Sequence, residues 1–296
     1  MSLMLILIRF HQKLQEKNKW KVIIIKSQVM DIITSGELVI LKFKELCGLN
    51  YVNHTVSTRF GGVSTQKDLA SLNLGSQTSD SPENILENYR RFCEAAGYDM
   101  QKIVLAKQTH STNVRYVDET DYGKGVLRER DYNNIDALIT DKPGICLAIH
   151  TADCVPVSFT DTRLRVIGNA HCGWRGTYGR LAEKTVNAMK ERFGTDASDL
   201  VCTVGPCICA ECYEVSEDLF ADFENKFSKS EALKMKNGKY YIDLALINKQ
   251  ILIECGVKKE NIIISDVCTC CNTDYMFSHR GQGAGRGIIA SCLSIV

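Results

Sequence analysis

Three side chains in the central part of the chain are of types that bind metals and take part in hydrolytic or transfer chemistry. They are His110 in the segment Gln-Thr-His, Cys154 in Thr-Ala-Asp-Cys, and His171 in His-Cys-Gly-Trp-Arg-Gly. Two imidazoles and a thiolate are a donor set that a borderline-soft ion such as zinc selects. Because three protein ligands leave a position open for water or substrate, the residue types predict a catalytic zinc centre. Asp153, beside Cys154, is a candidate catalytic residue that orients a ligand or carries a proton.

Each of these residues also has an ordinary structural interpretation. A single histidine is more often a hydrogen-bonded structural residue than a ligand, and a single cysteine is usually a small buried hydrophobe. No compact motif of the H-E-x-x-H type joins the three positions, so their spacing alone does not establish a site. The metal centre depends on whether the fold brings them together.

The elements that must position these residues alternate between predicted strands and helices. Apolar runs bounded by Pro, Gly and Asp predict short, closely spaced strands at residues 137–140, 145–149, 155–159 and 164–170. Capping residues and helical periodicity predict helices at residues 81–97 and 176–194, and two more near 216–227 and 243–255. These elements predict an α/β (α+β-like) fold, a single domain in which helices pack on a mixed or antiparallel sheet.

The candidate ligands fall at the ends of predicted strands. Cys154 and His171 lie at the ends of neighbouring strands, and His110 lies at a break between two others. A rigid sheet holds side chains at such positions while their tips face an open edge, which suits a catalytic metal.

Length, charge and cysteine usage exclude several classes of protein. The chain has 296 residues with only four prolines, and its 36 basic residues balance 35 acidic ones, which predicts no nucleic-acid partner. No apolar run has membrane-spanning length. Fourteen cysteines in a chain this long, without a signal peptide, predict reduced thiols and a cytoplasmic location. We expect residues 1–33 to be an N-terminal extension without assigned function and residues 34–296 to be one catalytic domain.

Two C-x-x-C pairs lie further along the chain, Cys209 with Cys212 and Cys268 with Cys271. Such pairs are typical of structural zinc sites. Free cysteines of this kind are also common as buried thiols, so both interpretations stay open.

Many short segments, taken in order, resemble the signature of one family. They are residues 57–64 (STRFGGVS), 71–75 (SLNLG), 108–110 (QTH), 136–140 (DALIT), 151–157 (TADCVPV), 171–176 (HCGWRG), 205–208 (GPCI), 212–215 (CYEV), 268–269 (CT), 278–280 (SHR) and 285–286 (GR). From about residue 40 to the C-terminus the chain resembles the laccase-domain family, described both as multicopper polyphenol oxidases and as purine nucleoside phosphorylases.

The resemblance implies a fold, a metal and an activity. It implies a fold likened to the cysteine-hydrolase domain of a bacterial toxin, with zinc held by His110, Cys154 and His171. It also implies phosphorolysis of adenosine, inosine, guanosine and methylthioadenosine, together with adenosine deamination. The chain departs from the family at Cys172, where alanine is usual, and at Gly281, where a second arginine is common.

Purine nucleosides and phosphate are therefore the expected partners, whereas the oligomeric state stays open. Arg59, in a Gly-Gly turn, and Arg175, at a predicted helix start, offer guanidinium groups and neighbouring backbone N–H groups for phosphate. Asn73 is a candidate to hydrogen-bond the ribose or the base. The alternative for each arginine is a structural ion pair.

Three other functions use the same residues. A blue-copper site also takes two histidines and a cysteine, but a multicopper oxidase needs a trinuclear centre, usually built from paired H-x-H segments. None of the six histidines is two positions from another, so copper is less favoured than zinc. A metal-free cysteine hydrolase would use Cys154 as its nucleophile, with His110 or His171 as the base. A zinc-stabilised interaction module without catalytic activity is the third alternative.

Overall fold

The structure is a computed structural model that describes residues 2–9, 20–228 and 230–296, with side chains from residue 24 onward. The strands are β1 (Ser2–Arg9), β2 (Trp20–Ser27), β3 (Met30–Ser35), β4 (Leu38–Phe43), β5 (Val52–Ser57), β6 (Ile103–Leu105), β7 (Val114–Tyr116), β8 (Ala137–Thr140), β9 (Cys146–Thr151), β10 (Val155–Asp161), β11 (Ile167–Cys172), β12 (Leu200–Val204), β13 (Glu214–Val215), β14 (Leu233–Lys236), β15 (Lys239–Ile242), β16 (Ile262–Ile264) and β17 (Ile289–Ile295). The helices are α1 (Lys44–Cys47), α2 (Pro82–Ala96), α3 (Trp174–Tyr178), α4 (Leu181–Phe193), α5 (Glu217–Lys226), α6 (Leu244–Glu254) and α7 (His279–Gln282).

Two six-stranded sheets form the centre of the molecule. Their strand orders are β3-β4-β5-β17-β9-β6 and β16-β12-β10-β11-β8-β7. Most neighbours pair antiparallel, whereas β6 with β9, β7 with β8 and β12 with β16 pair parallel. The predicted mixed α/β architecture is confirmed, while the likeness to a toxin's cysteine hydrolase stays a prediction.

The two sheets pack against each other through one apolar core. That core joins Leu147 and Leu293 of the first sheet to Leu138 and Ile167 of the second. A buried polar contact also crosses it, because the Asn169 side-chain amide donates to the carbonyl oxygens of residues 147 and 291, at 3.1 and 2.9 Å. A buried amide needs such partners, so this contact fixes how the sheets meet.

Helices cover the outer faces of the sheets, and the local sequence sets their ends. The Ser81 hydroxyl accepts the N–H of Asn84 at 3.2 Å, Pro82 occupies the first turn, and α2 ends at Gly97 with a φ of 74°. The predicted start and stop of this helix are confirmed. Two smaller sheets, β1 with β2 and β13-β15-β14, contain the remaining strands of the described residues.

The segment predicted as one helix over residues 176–194 differs from the structure. It begins earlier, at Trp174, and is divided into α3 and α4 by Gly179 and Arg180, the latter with a left-handed φ of 58°. A Cβ atom at position 179 would lie 2.4 Å from the Thr112 side chain, so the close approach of a neighbouring loop requires glycine here. Glycine and a left-handed residue in succession end the first helix.

The predicted extension, residues 1–33, overlaps the folded core. β3 pairs with β4 at the edge of the first sheet, and Ile25 and Met30 are fully buried. The predicted boundary after residue 33 therefore falls inside a paired strand, and residues 30–33 belong to the first sheet. Residue 1 and residues 10–19 of the extension lie outside the described residues. In the part of the chain that the structure describes, no helix has the length and apolar character needed to cross a membrane.

Candidate active site

The three predicted ligands converge. Potential ligand atoms of His110, Cys154 and His171 all lie within 4.8 Å of one another, and the two imidazole centroids are 4.9 Å apart. Cys154 ends the turn between β9 and β10, and His171 lies in β11 opposite Pro156 of β10. Antiparallel pairing thus brings together two ligands that are distant in sequence. We call these three residues the three-ligand cluster.

A buried carboxylate, Asp136, positions both histidines of the three-ligand cluster. It accepts the backbone N–H groups of Thr109, His110 and Ser111 at 3.0, 3.1 and 2.7 Å. These contacts hold the His110 loop in an unusual conformation, since His110 has a left-handed φ of 61°. Asp136 also accepts Nδ1–H of His171 at 2.8 Å, which leaves Nε2 as the ring nitrogen available to Cys154 or a metal.

The electrostatics of the three-ligand cluster favour a positive charge on His171. Burial alone would lower the pKa of His171, but the charge of Cys154 and the hydrogen bond to Asp136 outweigh it and raise this pKa to about 9. Burial and the charge of His171 instead lower the pKa of His110 and favour its neutral, metal-binding form. A proton on His171, or a metal ion bound to the cluster, supplies the positive charge that these surroundings favour.

The backbone leaves little room beside the ligands. A Cβ atom at Gly173 would lie 2.8 Å from Nδ1 of His110 and 3.0 Å from Sγ of Cys154, so only glycine lets α3 begin here. Two nitrogen donors and one sulfur donor, brought together with a carboxylate that orients one imidazole, fit a zinc ion.

Two clefts meet at the three-ligand cluster and share four lining residues, His110, Ala152, Cys154 and Arg286. The first, of about 220 Å³, is otherwise lined mainly by polar residues, including Arg130 and His150. The second, of about 370 Å³, is lined by aromatic and cationic side chains, among them Trp174, Arg175, Tyr213, His279 and Arg280. Adjoining clefts of this kind can receive a small molecule with one apolar and one anionic part.

Asp153, predicted as a catalytic residue, lines the second cleft. Its carboxylate accepts the hydroxyl of Thr269 and the backbone N–H of Arg280, both at 2.6 Å. It has a left-handed φ of 95°, a conformation that points to constraint by these neighbours. Its role in proton transfer stays a prediction.

The predicted substrate-binding residues occupy different surroundings. Arg175 lines the second cleft, with its guanidinium 4.0 Å from the ring centroid of Trp174. Arg59 borders neither cleft and donates to the carbonyl oxygens of residues 70 and 273 at 2.8 and 2.6 Å. Asn73 is fully buried, and its side chain binds Thr78 and backbone groups of the chain. The structure thus brings Arg175 to the clefts and gives Arg59 and Asn73 structural contacts, so binding of substrate by those two stays a prediction.

Sequence reasoning did not single out Asp136 or Arg286 as site residues. Both lie in the segments that carried the family resemblance, DALIT and GR, and those segments were the available signal. Arg286 borders both clefts, and its buried Nε has no hydrogen-bond partner among the described residues. Burial lowers the pKa of Arg286, although the charges of Asp153 and Cys154 oppose this effect. A guanidinium that borders two clefts and has an unpaired buried N–H indicates a binding position for an anion or another acceptor.

Known proteins are similar to this chain in both sequence and fold. Residues 53–296 match the family described as multi-copper polyphenol oxidoreductase laccase. A purine nucleoside phosphorylase of Bacteroides thetaiotaomicron is 32% identical over 259 residues, which cover 86% of this chain and 96% of that protein. Adenosine deaminase RL5, from an unknown prokaryotic organism, is 31% identical, with 78% of this chain and 89% of that protein covered. The crystal structure of the Bacillus licheniformis hypothetical protein YfiH matches with a TM-score of 0.83 and 28% identity, over 91% of this chain and all of that one.

Proposed function

This chain belongs to the multi-copper polyphenol oxidoreductase laccase family, and on that premise we propose that it is a zinc-dependent enzyme of purine nucleosides. It cleaves adenosine, inosine, guanosine and methylthioadenosine with phosphate, and it deaminates adenosine. Relatives named purine nucleoside phosphorylase and adenosine deaminase support purine nucleoside chemistry. The observation that carries the proposal is the convergence of His110, Cys154 and His171 where two clefts meet.

His110, Cys154 and His171 would hold the zinc ion, which when bound supplies Lewis acidity at the junction of the clefts. Asp136 keeps the imidazole of His171 in the tautomer whose Nε2 can bind metal. Because the same carboxylate fixes the His110 loop, it sets the geometry of two ligands at once.

Phosphorolysis joins a phosphate oxygen to C1′ of the ribose while the bond from C1′ to N9 of the purine breaks. Arg286 is suited to hold the phosphate, because its side chain borders both clefts and a guanidinium binds phosphate through parallel hydrogen bonds. Arg175 adds positive charge in the second cleft, where Trp174 and Tyr213 offer aromatic surfaces for a purine. The departing purine then takes up a proton.

Deamination replaces the exocyclic amine of adenosine with oxygen from water and releases ammonia. Asp153 lines the second cleft, and the hydrogen bonds that both of its oxygens accept fix its position there. Asp153 is therefore suited to accept the proton of the attacking water.

Product analysis tests the proposal. The purified chain is incubated with adenosine in the presence and absence of phosphate, with the Cys154→Ala variant as the control. Adenine that forms only with phosphate supports phosphorolysis, and inosine supports deamination. The proposal is wrong if the wild-type chain and the variant give the same traces of product.

Metal analysis separates the other functions that share this cluster. Zinc in protein purified without added copper supports the proposal, whereas stoichiometric copper together with oxidation of phenols would favour a laccase. Protection of Cys154 from iodoacetamide by zinc supports metal binding. A covalent acyl-enzyme formed at Cys154 would instead identify a cysteine hydrolase.

A further inference from the structure

Four cysteines outside the active site form a second group of potential metal ligands. The sulfur atoms of Cys209, Cys212, Cys268 and Cys271 all lie within 4.8 Å of one another, and none of the four forms a disulfide. We propose that this four-cysteine cluster holds a structural zinc ion. The inference goes beyond the proposed function and does not depend on it.

The separations between the sulfur atoms fit a tetrahedral metal. Zinc–thiolate bonds of about 2.3 Å place the sulfur atoms of a regular tetrahedron about 3.8 Å apart. Sγ of Cys212 and Sγ of Cys271 are 3.4 Å apart, far longer than the bond of about 2.05 Å in a disulfide. The four free thiols are thus close enough together for one ion to bind all of them, and Cys212 and Cys271 are too far apart for a disulfide.

The backbone around the cluster favours a thiolate at Cys268. The N–H groups of Cys209 and Cys271 both donate to Sγ of Cys268, at 3.2 and 3.4 Å. Hydrogen bonds of this kind stabilise a negatively charged sulfur, which is the form that binds metal. The N–H of Cys212 donates to the carbonyl of Cys209 at 3.1 Å, which closes the first C-x-x-C pair into a tight turn.

The fold holds the two C-x-x-C segments side by side. Cys207 and Cys268 form an isolated parallel bridge, and the N–H of Thr269 donates to the carbonyl of Cys207 at 3.0 Å. The thiolates can therefore gather without a large rearrangement. A tetrahedral set of four sulfur donors suits zinc or iron, and zinc binds more tightly than ferrous iron in the general order of divalent metals.

The four-cysteine cluster adjoins one wall of the second cleft. Thr269, between two of its ligands, donates to Asp153, and the Arg280 guanidinium donates to the carbonyl oxygens of Cys212 and Glu214 at 2.8 and 3.0 Å. A metal here would fix both segments against each other and so position Asp153 and Arg280. The four cysteines border neither cleft, so a metal bound to them would position cleft residues and would not contact the substrate.

Metal content of the full chain with the active-site ligands removed tests the inference. In the His110→Ala/His171→Ala variant, purified under reducing conditions without added metal, we expect about one zinc per chain. X-ray absorption should show four sulfur neighbours at about 2.3 Å. Zinc content near zero, stoichiometric iron in place of zinc, or two disulfides among the four cysteines would each overturn the inference.

A second pair of variants assigns the ion to these residues. Cys212→Ser/Cys271→Ser should lose about one zinc per chain relative to the wild type, whereas Cys270→Ser, in the same loop but outside the cluster, should lose none. Equal zinc in all three proteins would contradict the assignment. If the double variant fails to fold, the spectrum of the histidine variant still decides the question. A failure of the proposed function would be seen in a different measurement. The wild-type chain would then turn over no nucleoside while still containing zinc in the four-cysteine cluster.

Discussion

The three-ligand cluster and the four-cysteine cluster show two ways in which one chain assembles soft donors. His171 is 5% exposed and lies in a central strand, and its partner Asp136 is fully buried. Cys271, by contrast, is exposed and lies in a loop. Three donors at the junction of two clefts leave a position for a reactant, whereas four sulfur donors complete a tetrahedron. The comparison shows that both sites have metal ligands. What distinguishes a reactive centre from a structural site is a coordination position left open for a reactant.

The supporting contacts differ in the same sense. Around the three-ligand cluster, Asp136 receives hydrogen bonds from one ligand's ring and from the backbone of another. Around the four-cysteine cluster, backbone N–H groups bind a sulfur directly. A buried carboxylate can orient a ligand and change its basicity, whereas N–H groups mainly stabilise charge. The first arrangement suits catalysis and the second suits structure.

Removal of one ligand from each cluster should give the largest contrast. His171→Ala should lower the rate of purine release by more than the roughly 10- to 100-fold typical of losing an outer partner of a metal ligand. Cys271→Ser should keep most of that rate but lower the melting temperature. Rates with adenosine and phosphate, together with thermal melts, check the contrast. Equal activity losses in the two variants would show that the clusters do not differ in role.

Stepwise removal of metal should separate the clusters in the wild-type chain. A mild chelator should first take the ion from the three-ligand cluster, which has an open position, and abolish turnover with little change in melting temperature. A thiol-reactive mercurial should then release the second ion and lower the melting temperature, by about 2–4 °C for each kcal/mol lost. Released zinc, activity and melting are followed in parallel. Release of both zinc ions in a single step, together with the loss of activity and the fall in melting temperature, would contradict two independent sites.

Asp136→Asn tests whether the carboxylate orients the ligands of the three-ligand cluster. The change keeps the side-chain shape but weakens the contacts to His171 and to the His110 loop, so activity and metal affinity should fall about 10- to 100-fold. Asp141→Asn is the matched control, because its carboxylate contacts Tyr116 away from the clefts. Zinc in the four-cysteine cluster should stay unchanged in both variants. Comparable turnover in the two proteins would exclude a role for Asp136 in the chemistry.

Thr269→Val should give the smallest effect, since it removes only a hydroxyl between the four-cysteine cluster and Asp153. A net contribution of about 0.5–1.5 kcal/mol for one hydrogen bond predicts at most about a tenfold fall in kcat/KM for the deamination of adenosine, in which Asp153 is proposed to act. Thr273→Val, in the same loop, is the control. Zinc content should match the wild type in both. A loss of zinc in the Thr269 variant would mean that the hydroxyl supports the metal rather than Asp153.

Much of the fold could be predicted because local chemistry fixes it. Ser81, Pro82 and Gly97 define both ends of α2 through capping, proline placement and a left-handed glycine. The division between α3 and α4 could not be predicted, because it depends on Thr112 of a distant loop approaching Gly179. The strand β3 was also missed, since its pairing with β4 creates the burial that defines it.

The candidate site divides in the same way. Residue types alone indicated two histidines and a cysteine as one donor set, and the C-x-x-C spacing marked the four cysteines. Arg59 and Asn73 illustrate the opposite case, because their motif positions suggested ligand binding while their contacts lie within the chain. The type of a side chain determines which hydrogen bonds it can form, but the packing of the chain determines which partner it binds.

The amino-acid sequence by itself determined the donor chemistry, the ends of α2 and the family to which the chain belongs. Only the tertiary structure decided that His110, Cys154 and His171 meet, that Asp136 holds two of them, and that Arg286 borders both clefts. The physical reason is distance along the chain. Capping and periodicity act between near neighbours, whereas a metal centre needs donors from separate strands, which only the pairing of β10 with β11 and the packing of loops can bring together.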